Sequence, residues 1–147
     1  MPLVQWPDIR QTDRYDCGDA VYRGACSVLG IEPAAASIAD PHAGVSPDNL
    51  EIAFRRLGLH VQIGSFTLAD IHHHTQLGRA VCALIRSGST GHWVGVRGIG
   101  RCGTGPVWYH DPIDGQKIAK AADWNAGWWD DHRGGARYER YAVVAFV

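Results

Sequence analysis

Gln11-Thr12-Asp13-Arg14-Tyr15-Asp16-Cys17-Gly18-Asp19-Ala20 marks the point where the chain changes character. The residues before it carry two prolines and mixed polar side chains, and they read as an N-terminal loop. From Cys17 to Leu29 the apolar residues Ala20, Val21, Ala25 and Val28 recur at helical spacing, and Gly30 follows as a stop. Asp16 stands where an N-cap belongs. The spacing therefore predicts a helix that opens on a cysteine. A thiol in a first helical turn lies near the positive end of the helix dipole. That position favours thiolate over thiol, and with an imidazolium nearby it can bring a cysteine pKa to roughly 3.5–7.5. Gly18 removes a side chain where a substrate backbone would approach. Gln11, upstream on the loop, can reach back and donate to a developing oxyanion. Taken alone, the same residues also fit a buried cysteine beside a surface glutamine.

Two further segments add to this one. Gly91-His92-Trp93-Val94-Gly95-Val96 begins an otherwise apolar strand with a histidine. The strand fixes its backbone, and Gly91 leaves room for a ligand. A neutral imidazole there takes a proton from a thiol or holds the thiolate as an ion pair. The bland alternative is a satisfied core histidine. Tyr109-His110-Asp111-Pro112-Ile113-Asp114-Gly115 closes the partner strand of the same hairpin, which returns its end towards His92. A carboxylate here bonds the second imidazole nitrogen and sets its tautomer. Asp111 and Asp114 both lie in reach, although Asp-Pro and Asp-Gly also mark ordinary turns.

The remaining pattern supplies the frame. Ser46 caps a helix with Pro47 at its first position, and Leu50, Ala53, Phe54 and Leu57 form its apolar stripe before Gly58. His60 to Phe66 suits a strand. Thr67, with Asp70 as a capping-box partner, begins a third helix. Residues 79–86, 92–99 and 106–111 read as strands, the last two joined by a glycine-rich turn over 100–105. Residues 123–131 form a short helix or ordered loop. Residues 138–147 are apolar on both faces and predict a central last strand. Helices first, then mostly antiparallel strands, is an α+β pattern.

With 147 residues, 46% hydrophobic and 20% charged, the chain is one globular domain in size and composition. A net charge of −1 with scattered basic residues argues against a nucleic-acid partner. No apolar run approaches the ~20 residues of a membrane helix. The N-terminus lacks a signal-peptide pattern, so we expect no membrane association and a cytoplasmic location. The four cysteines fit no metal or redox spacing and are expected as free thiols, with Cys26 and Cys82 in the core. His72-His73-His74 point to different sides of one helix and do not chelate. No metal or cofactor is expected. Trp124, Trp128 and Trp129 either pack the last helix on the sheet or line a groove.

The run Q-x5-C-G-x-A with Asp before the Cys, followed by GHWVGVRGI and then His110-Asp111-Pro112, resembles the active-site segments of the bacteriocin-processing peptidases. These are papain-like enzymes that remove double-glycine leaders from secreted peptides. The segments occur in the family's order over residues ~8 to 116. The resemblance implies one papain-like cysteine peptidase domain over 1–147, with N-terminal helices packed on a mostly antiparallel sheet. It implies Cys17 as nucleophile, His92 as base, Asp111 rather than Asp114 as orienting group, and Gln11 in the oxyanion hole. Gly18, Gly91 and Trp93 are then candidates for substrate contact, and the partner is a peptide or protein substrate. The family's best-known members front a membrane transporter, whereas this sequence has no nucleotide-binding motif; double-glycine specificity is not carried over. The same site also suits acyl transfer to an amine, or a non-catalytic peptide-binding module on the same fold.

Overall fold

The computed structural model describes residues 3–88, 90–131 and 137–147. Its element order is α1 (Cys17–Leu29), α2 (Pro47–Arg56), β1 (His60–Ser65), α3 (Leu68–Gln76), β2 (Ala80–Ser87), β3 (Thr90–Ile99), a 3-10 turn (Arg101–Gly103), β4 (Val107–Asp111), β5 (Gly115–Ala119), α4 (Ala121–Gly127), β6 (Trp129–Asp131), β7 (Arg137–Glu139) and β8 (Tyr141–Phe146). Six strands form one antiparallel sheet in the order β1-β8-β2-β3-β4-β5. β6 and β7 make a separate hairpin.

α1 opens on Cys17 and stops at Gly30, which takes a left-handed φ of 69° and closes the last turn onto the Cys26 and Ser27 carbonyls. Asp16 occupies the N-cap position, but its side chain caps nothing; it is helical in backbone and accepts a hydrogen bond from the Thr12 hydroxyl instead. The caps of the other two long helices form as expected: Ser46 accepts from the Asn49 N–H, and Thr67 and Asp70 make a reciprocal capping box.

Alternation along the strands gives the sheet two apolar faces. Tyr22, Ala25, Leu50 and Phe54 of α1 and α2 pack with Cys82, Leu84, Trp93 and Val143 on one face. Ile71 of α3 and Trp124 of α4 pack with Val81, Val94, Val96 and Val144 on the other. β8 lies between β1 and β2 and its residues 142–145 are fully buried, in line with its two-sided apolar pattern. The segment expected as one last strand is divided. Arg140 takes a φ of 51°, so residues 137–139 turn away to pair with β6. Trp124 and Trp128 are packing residues, buried against Tyr109 and each other. Cys17, Cys26, Cys82 and Cys102 are free thiols; Cys26 and Cys82 are wholly buried and Cys102 is exposed.

This architecture sets the first turn of α1 against the beginning of β3, because α1 packs across β2 and β3. The β3–β4 pairing brings the end of β4 alongside the same region.

Candidate active site

Cys17 is the first residue of α1. Its backbone N–H, like others of a first helical turn, has no carbonyl of the same helix to bond. Its side chain lines a cleft of about 690 Å³. β2, β3 and β6 also line that cleft, through Leu84, Arg86, Thr90, Gly91, Trp93, Asp130 and Asp131.

His92 follows Gly91 on β3 and is only 4% exposed. Its Nε2 is 2.8 Å from Asp111 Oδ1. Asp111 also accepts from the Ile113 N–H at 2.8 Å, so the carboxylate is fixed from two directions. Burial works against charge on the ring. Hydrogen bonding to Asp111 and Cys17, and electrostatic attraction to both, outweigh it and raise the His92 pKa to about 9. Burial likewise opposes the Asp111 carboxylate, and the bonds from His92 and Ile113 overcome it, holding its pKa below the usual value. With Nε2 committed to Asp111, Nδ1 is the nitrogen left for the thiol. Both neighbours favour the protonated ring over the neutral one. Asp114, the alternative left open by the turn pattern, pairs with Lys117 at 3.0 Å instead.

Gln11 is brought to the same end of the molecule, though not into the cleft wall. Its backbone N–H donates to the Pro112 carbonyl at 2.9 Å, one residue beyond Asp111. Its side-chain Nε2 donates to the Asp13 carbonyl at 2.8 Å, and its Oε1 is buried without a partner among the described residues. Among the described residues, one of its amide N–H groups remains uncommitted.

The two glycines read as openings for substrate are filled positions. A Cβ on Gly18 would lie 2.5 Å from the Val45 Cβ, so Gly18 lets the loop before α2 close onto α1. A Cβ on Gly91 would run into the Asp130 carboxylate. Gly91 does line the cleft, but Asp130 occupies the vacancy. Trp93 lines the cleft, and its Nε1–H donates to the Val45 carbonyl at 2.8 Å, which anchors the same loop.

The cleft's charged lining escaped the sequence reading. Arg86 bridges Asp130 at 2.7 Å and Asp131 at 3.3 Å, and it stacks on Trp129. Arg14, Tyr15 and His42 complete the rim near Cys17. Arg14 and Tyr15 lie inside the quoted motif and were findable there. Nothing local marks Arg86 or Asp130, which meet only through the fold.

No protein-family model and no curated protein matches the chain. Solved structures do. The peptidase domain of Streptococcus ComA, a bifunctional ABC transporter of a quorum-sensing pathway, superposes with a TM-score of 0.69 at 18% identity, over 99% of this chain and 98% of that one. A double glycine motif protease from an AMS/PCAT transporter, solved with its leader peptide, gives 0.68 at 12% identity over 99% and 95%. The Streptococcus mutans ComA peptidase domain gives 0.66 at 16% identity over 95% and 98%. The chain has the papain-like fold of double-glycine peptidase domains. At these identities the likeness speaks for the fold, and the chemistry rests on the residues described above.

Proposed function

We propose that this protein is a cysteine peptidase. The observation that carries the reading is the placement of one buried imidazole between Asp111 and a thiol that opens a helix and faces a cleft. In the proposed cycle the Cys17 sulfur attacks a peptide carbonyl carbon. The carbonyl oxygen becomes an oxyanion, stabilised by the Cys17 backbone N–H and the free Gln11 amide hydrogen. His92 gives its proton to the leaving amine, the C–N bond breaks, and a thioester remains. Neutral His92 then takes a proton from water, whose oxygen displaces the sulfur and releases the acid. Asp111 orients the ring and stabilises its charged form throughout. A cleft that opens beside the thiol suits an extended peptide. The leader-peptide complex of the AMS/PCAT protease makes a secreted-peptide precursor a sensible first substrate class.

The test is cleavage of a fluorogenic peptide library alongside the alkylation rate of each cysteine by iodoacetamide between about pH 5 and 9. Cys17→Ala and His92→Ala should each abolish cleavage. Cys17 should label faster at pH 5–6 than the other cysteines, and His92→Ala should remove that advantage. Cleavage that survives in Cys17→Ala ends the reading.

A further inference from the structure

His110, the neighbour of Asp111 on β4, is 1% exposed. Alternation puts it on the opposite face of the strand from Asp111. There its Nε2 donates to the Ile9 carbonyl at 3.1 Å, and an Asp8 carboxylate oxygen lies 3.8 Å from the same nitrogen. Its Nδ1 is buried with no partner among the described residues. A ring with one nitrogen left unsatisfied is a costly space-filler, since a leucine would desolvate no polar atom. What the imidazole adds is the bond to Ile9.

That bond belongs to a seam. The Arg10 guanidinium donates to the Ile113 carbonyl at 3.0 Å, and the Gln11 N–H donates to the Pro112 carbonyl at 2.9 Å. Residues 9, 10 and 11 are therefore laced onto residues 110, 113 and 112. The loop that carries Gln11 and the turn that follows Asp111 are joined, and His110 supplies the deeply buried side-chain tie between them. We propose that His110 is a positioning residue, which through Ile9 fixes where the Gln11 amide stands relative to Cys17. The proposal rests on the peptidase reading, and in particular on Gln11 as an oxyanion donor.

Two small reagents separate the effects. Iodoacetamide is displaced at carbon by the sulfur with loss of iodide, and no oxyanion forms. With 4-nitrophenyl acetate the sulfur adds to the carbonyl, an oxyanion forms, and collapse expels 4-nitrophenolate to leave an acetyl thioester. His110→Leu and His110→Phe, which bracket the volume of the ring, should slow nitrophenolate release at least about tenfold, part of the ~10²–10³ that an oxyanion donor contributes. They should leave iodoacetamide labelling of Cys17 within about twofold. Adding His110→Leu to Gln11→Ala should cost nothing beyond Gln11→Ala alone. His110→Gln, which restores an N–H donor, should recover most of the rate. Equal slowing with both reagents, additive losses in the double variant, or unchanged acylation would each overturn the proposal. So would failure of both apolar variants to fold, since His110 would then be a structural residue. If the unmodified protein shows no Cys17-dependent release of nitrophenolate, the peptidase reading itself falls; if it does and the His110 variants match it, only the positioning role falls.

Discussion

His92, next to Gly91 on β3, pairs with Asp111, and Arg86, opposite Gly91 on β2, pairs with Asp130. The two pairs have nearly equal lengths, 2.8 Å and 2.7 Å. Their surroundings differ. The side chains of the first pair are 5% and 8% exposed, and those of the second are 19% each. His92 can release its proton and has a second nitrogen facing a thiol, whereas a guanidinium stays charged and has no proton to lend. Arg86 also stacks on Trp129 and reaches Asp131, so its pair clamps the β6–β7 hairpin against β2 and β3. Length alone does not separate the pair proposed for catalysis from a brace. Burial, a titratable member and a nucleophile within reach do.

Removing the charge from the first pair should have the largest effect. Asp111→Asn should lower turnover by about 10²-fold or more, since an amide no longer stabilises the charged ring. The pH profile gives the sharper readout. In the unmodified protein, turnover should fall on the alkaline side as His92 loses its proton near pH 9. In Asp111→Asn that limb should move down towards the ordinary histidine value of about 6.5. The sign for stability follows from the same shift. A folded-state pKa raised above the unfolded one contributes stability fully below about pH 6.5, and that contribution is lost as pH climbs through about 9. The difference in unfolding midpoint between the two proteins should therefore shrink between pH 6.5 and 9.5. A turnover limb that stays at the same pH in Asp111→Asn would mean that Asp111 does not set the state of His92.

Between the pairs, Gly91 should respond strongly but reparably. Gly91→Ala pushes a methyl group into the Asp130 carboxylate, and overpacking of this kind costs roughly 1–3 kcal/mol. Removing the obstacle in Gly91→Ala/Asp130→Ala should recover stability relative to Gly91→Ala, measured by urea unfolding. Failure to recover would mean that Gly91 is needed for its backbone and not for the space Asp130 fills.

The frame of this site was legible because its signals are local. The helix that opens on Cys17 is written in the 3.6-residue period and Gly30. The Thr67 cap is written in a residue three positions on, and the central place of β8 in its unbroken apolar run. The segments of Cys17, His92 and Asp111 are each distinctive and short, and the fold brings the three side chains together. What failed was what neighbours cannot report. Gly18 and Gly91 looked like openings, yet Val45 and Asp130 enter from distant parts of the chain. Asp16 looked like a cap, yet Thr12 takes its carboxylate. β5 alternates weakly, with mostly exposed side chains, and β6 and β7 are three residues each, too short for any period to show. Nothing local marks His110, because its partner is a backbone carbonyl about a hundred residues away.

The smallest effect belongs to the brace. Arg86→Met keeps much of the apolar stem but leaves Asp130 and Asp131 without this cation and Trp129 with only the Arg137 guanidinium over its ring. Partly exposed pairs of this kind contribute little individually, so a loss of about 1–2 kcal/mol is expected, reduced at high salt. The iodoacetamide rate at Cys17 should stay within about twofold of the unmodified protein, because His92 keeps both of its partners. This contrast with Asp111→Asn is the strictest check on the comparison. If Arg86→Met slowed labelling of Cys17 as much as it lowered stability, the brace would be part of the catalytic machinery. The hairpin it clamps would then have to be counted with His92, as a determinant of the thiol's reactivity and not merely as the wall of the cleft.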